Sequence, residues 1–477
     1  MKNTTLPKGQ WQVLGLFFLV LASRIPFLFI GYGAEEDSWG TPLAIWQTIE
    51  TGIYEPSRLP GHPVQEAFYL LIPSLSPFWW NLLSALACAW SSVAFFKIFQ
   101  KLELEWAFLS GLALAFVPIV YISSTYTIDF CFTLSFLLWS FFYLLERKYL
   151  ISGLIVGLAI GCRITTGVFI IPFAIWIFLN ERKDFSSQSL VKFGLIGILV
   201  GVLTYLPLVL TFGYRFFQYY DQFPYPSWEK VIYKASFGVW GAIGLLGMIS
   251  ATLSQLVFGG FSRIQGQSDR NKSLVGLALL ILGLFTFSYL RLPQKSGYWI
   301  LLIPFVILAL RVSLLDMLYK FVICCFLASS FLFSLGLTDA KRGSDYSAWA
   351  KVHKVGDQTV FFDPITGPLY SDLSKRRNKE AFCREVVEEL SSPQHTTSVV
   401  ICGWWYNELM VYAKQNNPRL MPHLRFYVRP EELKSVASKQ LNWYFLPEQE
   451  KYNDLYSQIS TTQQFAKPWI NEAQHER

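Results

Sequence analysis

Charged residues are scarce in this chain. Asp, Glu, Lys and Arg together make up 15% of its 477 residues, against about a quarter in an ordinary soluble domain. That composition excludes a wholly water-soluble fold, and no nucleic-acid partner is expected. Histidine is sparse too: the five residues, His62, His353, His395, His423 and His475, show no close metal-ligand spacing. No G-x-x-x-x-G-K-S/T or G-x-G-x-x-G run occurs at a strand-helix junction, so no nucleotide-phosphate loop is expected. Of the seven cysteines, Cys88, Cys131, Cys162, Cys324 and Cys325 fall in apolar windows or at their ends and read as small packing residues. Cys383 and Cys402 lie in a more polar region, where an oxidising compartment would allow a disulfide between them.

What is abundant is apolar surface. Hydrophobic residues make up 53% and aromatic residues 17%, with a mean hydropathy of +0.35, the composition of a polytopic membrane protein. Windows long enough to cross ~30 Å of hydrocarbon run at 11–31, 77–99, 106–124, 130–146, 192–212, 237–259, 273–290, 297–315 and 318–337. The first follows Lys2 and Lys8 and ends in "ASRIPFLFIGYG" without an A-x-A-like cleavage site, so it reads as an uncleaved anchor with its N-terminal side in the cytoplasm. Between "ERK" at 146–148 and "ERK" at 181–183 lie 32 mostly apolar residues that include Arg163. Two short helices turning at "GCRITTG" (161–167) keep both ERK clusters cytoplasmic and put Arg163 at the far face. The expectation is about eleven transmembrane helices, with the C-terminal side outside. Residues 1–337 hold 22 Lys and Arg, 14 of them on the cytoplasmic side of this scheme, whereas 9 of their 16 acids fall outside. The outer face therefore has a surplus of carboxylates.

Beyond residue 337 the apolar windows stop. Residues 338–477 carry 18 basic and 17 acidic residues and read as a soluble extracytoplasmic α/β domain. "TSVVICGWWY" (397–406) is a strand signal and "RNKEAFCREVVEELSS" (377–392) a helix signal.

The candidate chemistry lies on the outer face. The first loop, 32–76, opens with "AEEDSWG" and continues "TPLAIWQTIETG", where Thr41 and Pro42 look like the start of a helix and Gly52 like its stop. Trp39, Leu43, Trp46, Ile49 and Ile53 form a stripe suited to a helix on the membrane surface. Asp37 would sit at its N-terminal end, where the helix dipole favours the ionised form, while Glu35, Glu36, Glu50 and Glu55 read mainly as loop solvation. "YEPSRLPGHPVQEAFY" (54–69) follows as a rigid turn carrying Arg58, His62 and Glu66. Asp129, in "TIDF", stands at the outer end of a crossing helix, where an ionisable group needs a partner; a helix cap or pairing with Arg163 would each satisfy it. "YLRLPQKSGYWILLIP" (289–304) adds Arg291, Lys295 and Tyr298. Acids and bases gathered from distant loops fit a base working beside a phosphate.

These elements resemble the GT-C superfamily of membrane glycosyltransferases, which includes protein O-mannosyltransferases and the lipid A aminoarabinose transferase. The resemblance covers roughly residues 11–310 and rests on "EEDSWG", "SRLPGHPV", "TIDF", "GLAIGCRITTGVFIIPF" and "RLPQKSGYWILLIP". It implies a GT-C-like membrane domain over 1–337 in the cell (inner) membrane and a polyprenyl-phosphate-sugar donor from the bilayer. The acceptor, a lipid, glycan or protein, would be glycosylated with inversion. Asp37 would be the base, with Asp129 the second catalytic candidate; Glu36, His62 and Glu66 are further site candidates. Arg58, Arg163, Lys295 and Tyr298 would meet the donor phosphate. A divalent cation, Mg or Mn, held by Asp37 and Asp129 is the alternative means of holding that phosphate. Two departures bear on it: the first acid is followed by Ser rather than the Glu of a common Asp-Glu pair, and no strong second pair appears in a later loop. The competing reading is a transporter or flippase, whose mark would be ionisable groups at the bilayer midplane and two repeated halves with broken helices. The ionisable residues stand at helix ends and loops instead.

Overall fold

The computed structural model describes residues 8–72, 76–180, 187–213, 225–259, 268–338, 349–355, 358–428, 441–446 and 467–469. Among them, five helices are long and apolar enough to cross a membrane: Gly9–Phe27, Pro77–Lys101, Ser187–Phe212, Phe237–Val257 and Asp269–Arg291. Shorter apolar helices run over Ala107–Phe116, Phe130–Leu145, Tyr149–Cys162, Ile164–Leu179 and Ile303–Ser313. The protein is a multi-pass membrane protein, mostly helical, with two small sheets toward its C-terminal end.

The helices that carry the candidate site are held by small residues and by polar pairs. Tyr149–Cys162 lies so close to Ser187–Phe212 that a Cβ on Gly153 would come within 2.6 Å of the Phe193 carbonyl, and one on Gly157 within 2.5 Å of Val200. Such close backbone approach replaces the hydrophobic drive that lipid removes. On its other side the helix pairs with Phe130–Leu145, where Ser140 Oγ donates to the Ser152 carbonyl (2.9 Å) and Ser152 Oγ to the Ser140 carbonyl (2.8 Å). At Arg163 the chain doubles back, as the "GCRITTG" turn suggests. Phe173 of the returning helix Ile170–Asn180 stacks on Phe141 (5.2 Å between centroids), and Trp176 and Ile177 line the same small cavity as Leu144 and Leu145. The "ERK" at 181–183 and Lys2 lie outside the described residues.

Charged residues gather at both ends of these helices. Asp129, Arg163 and the first loop meet at one end. At the other, Lys101 pairs with Glu146 (2.6 Å), Arg270 donates to the Lys101 carbonyl (2.9 Å), and Arg311 pairs with Glu105 (2.8 Å).

Two expected boundaries move. The first-loop helix runs from Asp37 to Thr51, four residues earlier than a start at Thr41, so Pro42 lies inside it. Thr41 Oγ1 turns back to the Asp37 carbonyl (3.2 Å), and Pro42 falls in the second turn, beyond the first-turn positions where a proline is best tolerated. Gly52 ends the helix in the left-handed region (φ 70°), as its position implies. Its apolar stripe is not wholly presented to lipid: Trp39, Leu43 and Trp46 are buried, whereas Ile49 and Ile53 are 49% and 63% exposed. The buried part shares one core with the C-terminal helices Pro368–Leu390 and Tyr406–Asn416, through Cys383, Val387 and Leu409 among others.

The last apolar window, 318–337, also divides. Helix Asp316–Ser329 stops early, and Ser334–Thr338 becomes strand β1, which pairs with β3 (Gln358–Asp363) in an antiparallel sheet completed by β2 (Lys351–Val355). An apolar run has the same hydropathy in a helix as in a buried strand, so periodicity could not separate them. A second, parallel sheet has the order β5-β4-β6-β7, from Leu424–Arg425, Ser398–Ile401, Asn442–Phe445 and Lys467–Pro468. Within 397–406 only Ser398–Ile401 is extended; Gly403–Trp405 is a 3-10 turn, and Tyr406 opens a helix. Cys383 and Cys402 are buried free thiols rather than a disulfide.

Candidate functional site

The 54–62 turn is wound round one carboxylate. Glu66, fully buried, accepts from the Ser57 amide (2.9 Å), the Ser57 hydroxyl (2.6 Å), the Tyr54 hydroxyl and the His62 amide (3.4 Å). Its lone pairs are spent inside the loop, so it organises the site without facing it. Gly61 adopts φ +87° with Leu208 against it, a place only glycine fills without strain. The turn thereby aims Arg58 and His62 at the helix ends that carry Asp129 and Cys162.

His62 is locked as a neutral imidazole. Nδ1 lies 2.7 Å from the Cys162 carbonyl, which can only accept, and Nε2 accepts from Arg58 Nε at 3.1 Å. Burial pushes the imidazole pKa down, with Asp129 pulling the other way and Arg58 adding to the fall.

Arg58 is the hub. It forms an ion pair with Asp37, and its other terminal nitrogen lies 3.6 Å from Asp129 Oδ1. Lys295, from the loop near residue 290, reaches Asp37 and Glu35 Oε2 (2.8 Å) together. Arg163 Nη1 donates to Asp129 Oδ2 at 2.6 Å, and its guanidinium lies over the rings of Phe130 (4.7 Å) and Tyr298 (4.6 Å). Gly297 makes that contact possible, since a Cβ there would lie 2.4 Å from the Phe130 ring. Thus Asp37, Arg58, His62, Asp129, Arg163, Lys295 and Tyr298 converge, while Glu66 stands behind them. Glu36 supplies the carbonyl that begins the first-loop helix, accepting from the Trp39 and Gly40 amides.

The two carboxylates differ in access. The Asp129 side chain is 1% exposed and that of Asp37 16%. Burial opposes ionisation of Asp129, yet the Arg163 and Arg58 guanidiniums oppose that burial and hold its carboxyl below the usual range. Asp129 is the residue on which the two arginines are mounted, and it does not cap its helix with its side chain.

Two members escaped the sequence reading. Glu35, read as loop solvation, pairs with Lys295; burial raises its pKa, but Lys295 and Arg58 bring it below its ordinary value. Lys234, on helix Trp228–Ala235, donates to the Gln294 carbonyl at 2.6 Å, and burial pushes its pKa down to about 8 with Glu35 opposing. Its only signal was the i, i+4 spacing with Lys230 in "WEKVIYKA". Arg291, by contrast, is exposed at the end of its helix.

Asp37 Oδ2 faces both Arg58 and Lys295 and Asp129 Oδ2 faces Arg163, while the buried Asp129 Oδ1 has no hydrogen-bond partner; no group of three or more His, Cys, Asp or Glu able to hold a metal occurs among the described residues. What the arrangement offers is a reachable carboxylate set among cations able to receive an anionic group.

Comparison with known families adds one finding. Residues 64–208 match the family model described as dolichyl-phosphate-mannose-protein mannosyltransferase, a span that contains Glu66, Asp129 and Arg163 but neither Asp37, Arg58 nor Lys295. No curated protein matches the chain.

Proposed function

We propose that the chain, whose residues 64–208 match this family, is a membrane glycosyltransferase that uses a polyprenyl-phosphate sugar donor, and that Asp37 is the base of an inverting transfer on the extracytoplasmic side. The acceptor hydroxyl gives its proton to the Asp37 carboxylate while its oxygen attacks the anomeric carbon. The bond from that carbon to the phosphate oxygen breaks, and polyprenyl phosphate leaves with the electron pair. Arg58, Lys295 and Arg163 meet its charge, which develops most in the transition state. Tyr298 and Phe130 keep the Arg163 guanidinium in its plane between them.

The observation that carries this reading is the position of Asp37 between Arg58 and Lys295 with its side chain still open to solvent. A carboxylate in two ion pairs is a poor base. The donor phosphate competes for the same cations, so donor binding releases Asp37 to work and ties proton transfer to an occupied site. The residues 1–337 form the GT-C-like membrane domain in this reading, with about eleven crossings, and 338–477 lies outside the cell membrane beside the acceptor, be it lipid, glycan or protein.

Asp37→Asn keeps the shape and removes the basicity. Mass spectrometry of envelope glycans and lipids, compared between deletion cells carrying the wild-type chain and the variant, should show one glycosylated product lost. Removal of a well-placed base lowers turnover by ~10²–10⁴-fold. Near-normal product from folded Asp37→Asn would move the base to another residue.

A further inference from the structure

We propose that Arg376, on helix Pro368–Leu390, acts with Asp372 as a positioning residue that sets the spacing of the two carboxylate-bearing segments of the site. The inference rests on the reading of Asp37 and Asp129 given above. It makes the C-terminal part a component of the transfer machinery.

Arg376 is fully buried, and its ion pair is with Asp372 on its own helix. Its Nε donates to Asp372 Oδ2 at 2.9 Å, one turn away on the same helix. Its Nη1 donates to the carbonyls of Phe27 (3.2 Å), Ile30 (3.4 Å) and Thr125 (3.2 Å), and Nη2 to the Thr125 hydroxyl. The guanidinium lies 4.5 Å from the Tyr126 ring centroid, and the Tyr126 hydroxyl donates to the other Asp372 oxygen. One planar fork thus grips the chain just before Asp37 and just before Asp129. A lysine has neither the fork nor the reach to satisfy these acceptors at once.

The two gripped segments are also joined to each other. The Thr127 amide donates to the Tyr32 carbonyl (2.9 Å), and Asn81 Nδ2 donates to the carbonyls of Leu28 (3.0 Å) and Gly31 (2.8 Å) while its Oδ1 accepts from Thr127 (2.9 Å). Tyr126 packs directly on Gly33 (φ +151°), where a Cβ would lie 2.8 Å from the ring. Movement at residues 27–33 is therefore passed to 125–127. Only Ile128 separates Thr127 from Asp129, and Arg58 must reach both Asp37 and Asp129. A misplacement of an ångström in such a pair costs ~10²-fold in rate.

The test uses the full chain in detergent with Arg376→Lys, Arg376→Gln and Asp372→Asn. Hydrogen exchange followed by mass spectrometry reports the clamp directly. Exchange at Thr127 and at Ser38–Gly40 should rise at least ~10-fold, with helices Phe130–Leu145 and Tyr149–Cys162 unchanged. Product per folded enzyme, read from the cells' own donor pool, should fall ~10-fold or more, while half-saturation by a donor-lipid extract moves less than ~3-fold. Arg376→Lys should recover little. Exchange rising throughout with product per folded enzyme unchanged would make Arg376 a stability element and overturn the proposal. So would local loosening with full activity, or failure of all three variants to fold. Full activity in Asp37→Asn would instead sink the reading of the base and leave the exchange result standing.

Discussion

At His62 a single side chain is read from both ring nitrogens. Nδ1 is committed to the Cys162 carbonyl and Nε2 to Arg58, so a second proton would break the contact that orients the hub of the site. The folded pKa lies below the model-peptide value of 6.5. The unfolded chain then binds the proton more readily, so this contribution to stability is present above pH 6.5 and is lost as pH falls below it. Melting in detergent followed by intrinsic fluorescence should drop further between about pH 7.5 and 5.5 for the wild type than for His62→Gln. Equal drops would remove His62 from the acid response. The sequence placed His62 beside Arg58 in one rigid turn. It could not place the Cys162 carbonyl, which is 100 residues away and on another helix.

The first loop shows how an element acquires a shape that its propensities only outline. Pro and Gly mark "SRLPGHPV" as a rigid turn, and the fold agrees. What the turn closes upon is Glu66, a residue whose sequence context reads as a site candidate and whose four contacts make it a structural anchor. Glu66→Gln keeps the size but turns an N–H toward groups that donate. Leaving buried donors of Ser57 or Tyr54 unmatched costs ~1–3 kcal/mol. A lowered melting midpoint, with Arg58 and His62 no longer held, should therefore accompany lost activity. An unchanged midpoint would show that the loop does not depend on this carboxylate. The helix Asp37–Thr51 makes the same point in its boundaries: its stop at Gly52 is a local matter of φ, legible in the sequence, whereas its burial against the C-terminal helices is not.

On the scale of the whole molecule, side assignment is the claim on which the others depend. Helix ends that share the Lys101, Glu146 and Arg270 contacts lie opposite those that build the site, so one orientation relative to the membrane decides the place of both. The Lys and Arg bias predicts a site on the outside. A C-terminal alkaline phosphatase fusion should be active, and a C-terminal reporter that works only in the cytoplasm should be silent. The reverse pattern would invert every placement in the proposed transfer.

The sequence by itself determined the solvent of this protein, the approximate place of its apolar helices, the fold-back at Arg163 and the residue types of the site, because hydropathy and turn chemistry act over a few residues. Only the tertiary structure decided which charges meet. Asp37 and Lys295 are 258 residues apart, and their pairing, like the grip of Arg376 on the chain before Asp129, is set by how whole helices pack. The same limit explains residues 334–338, where an apolar run became a strand because β3 lay beside it. Local periodicity carries no record of such a neighbour.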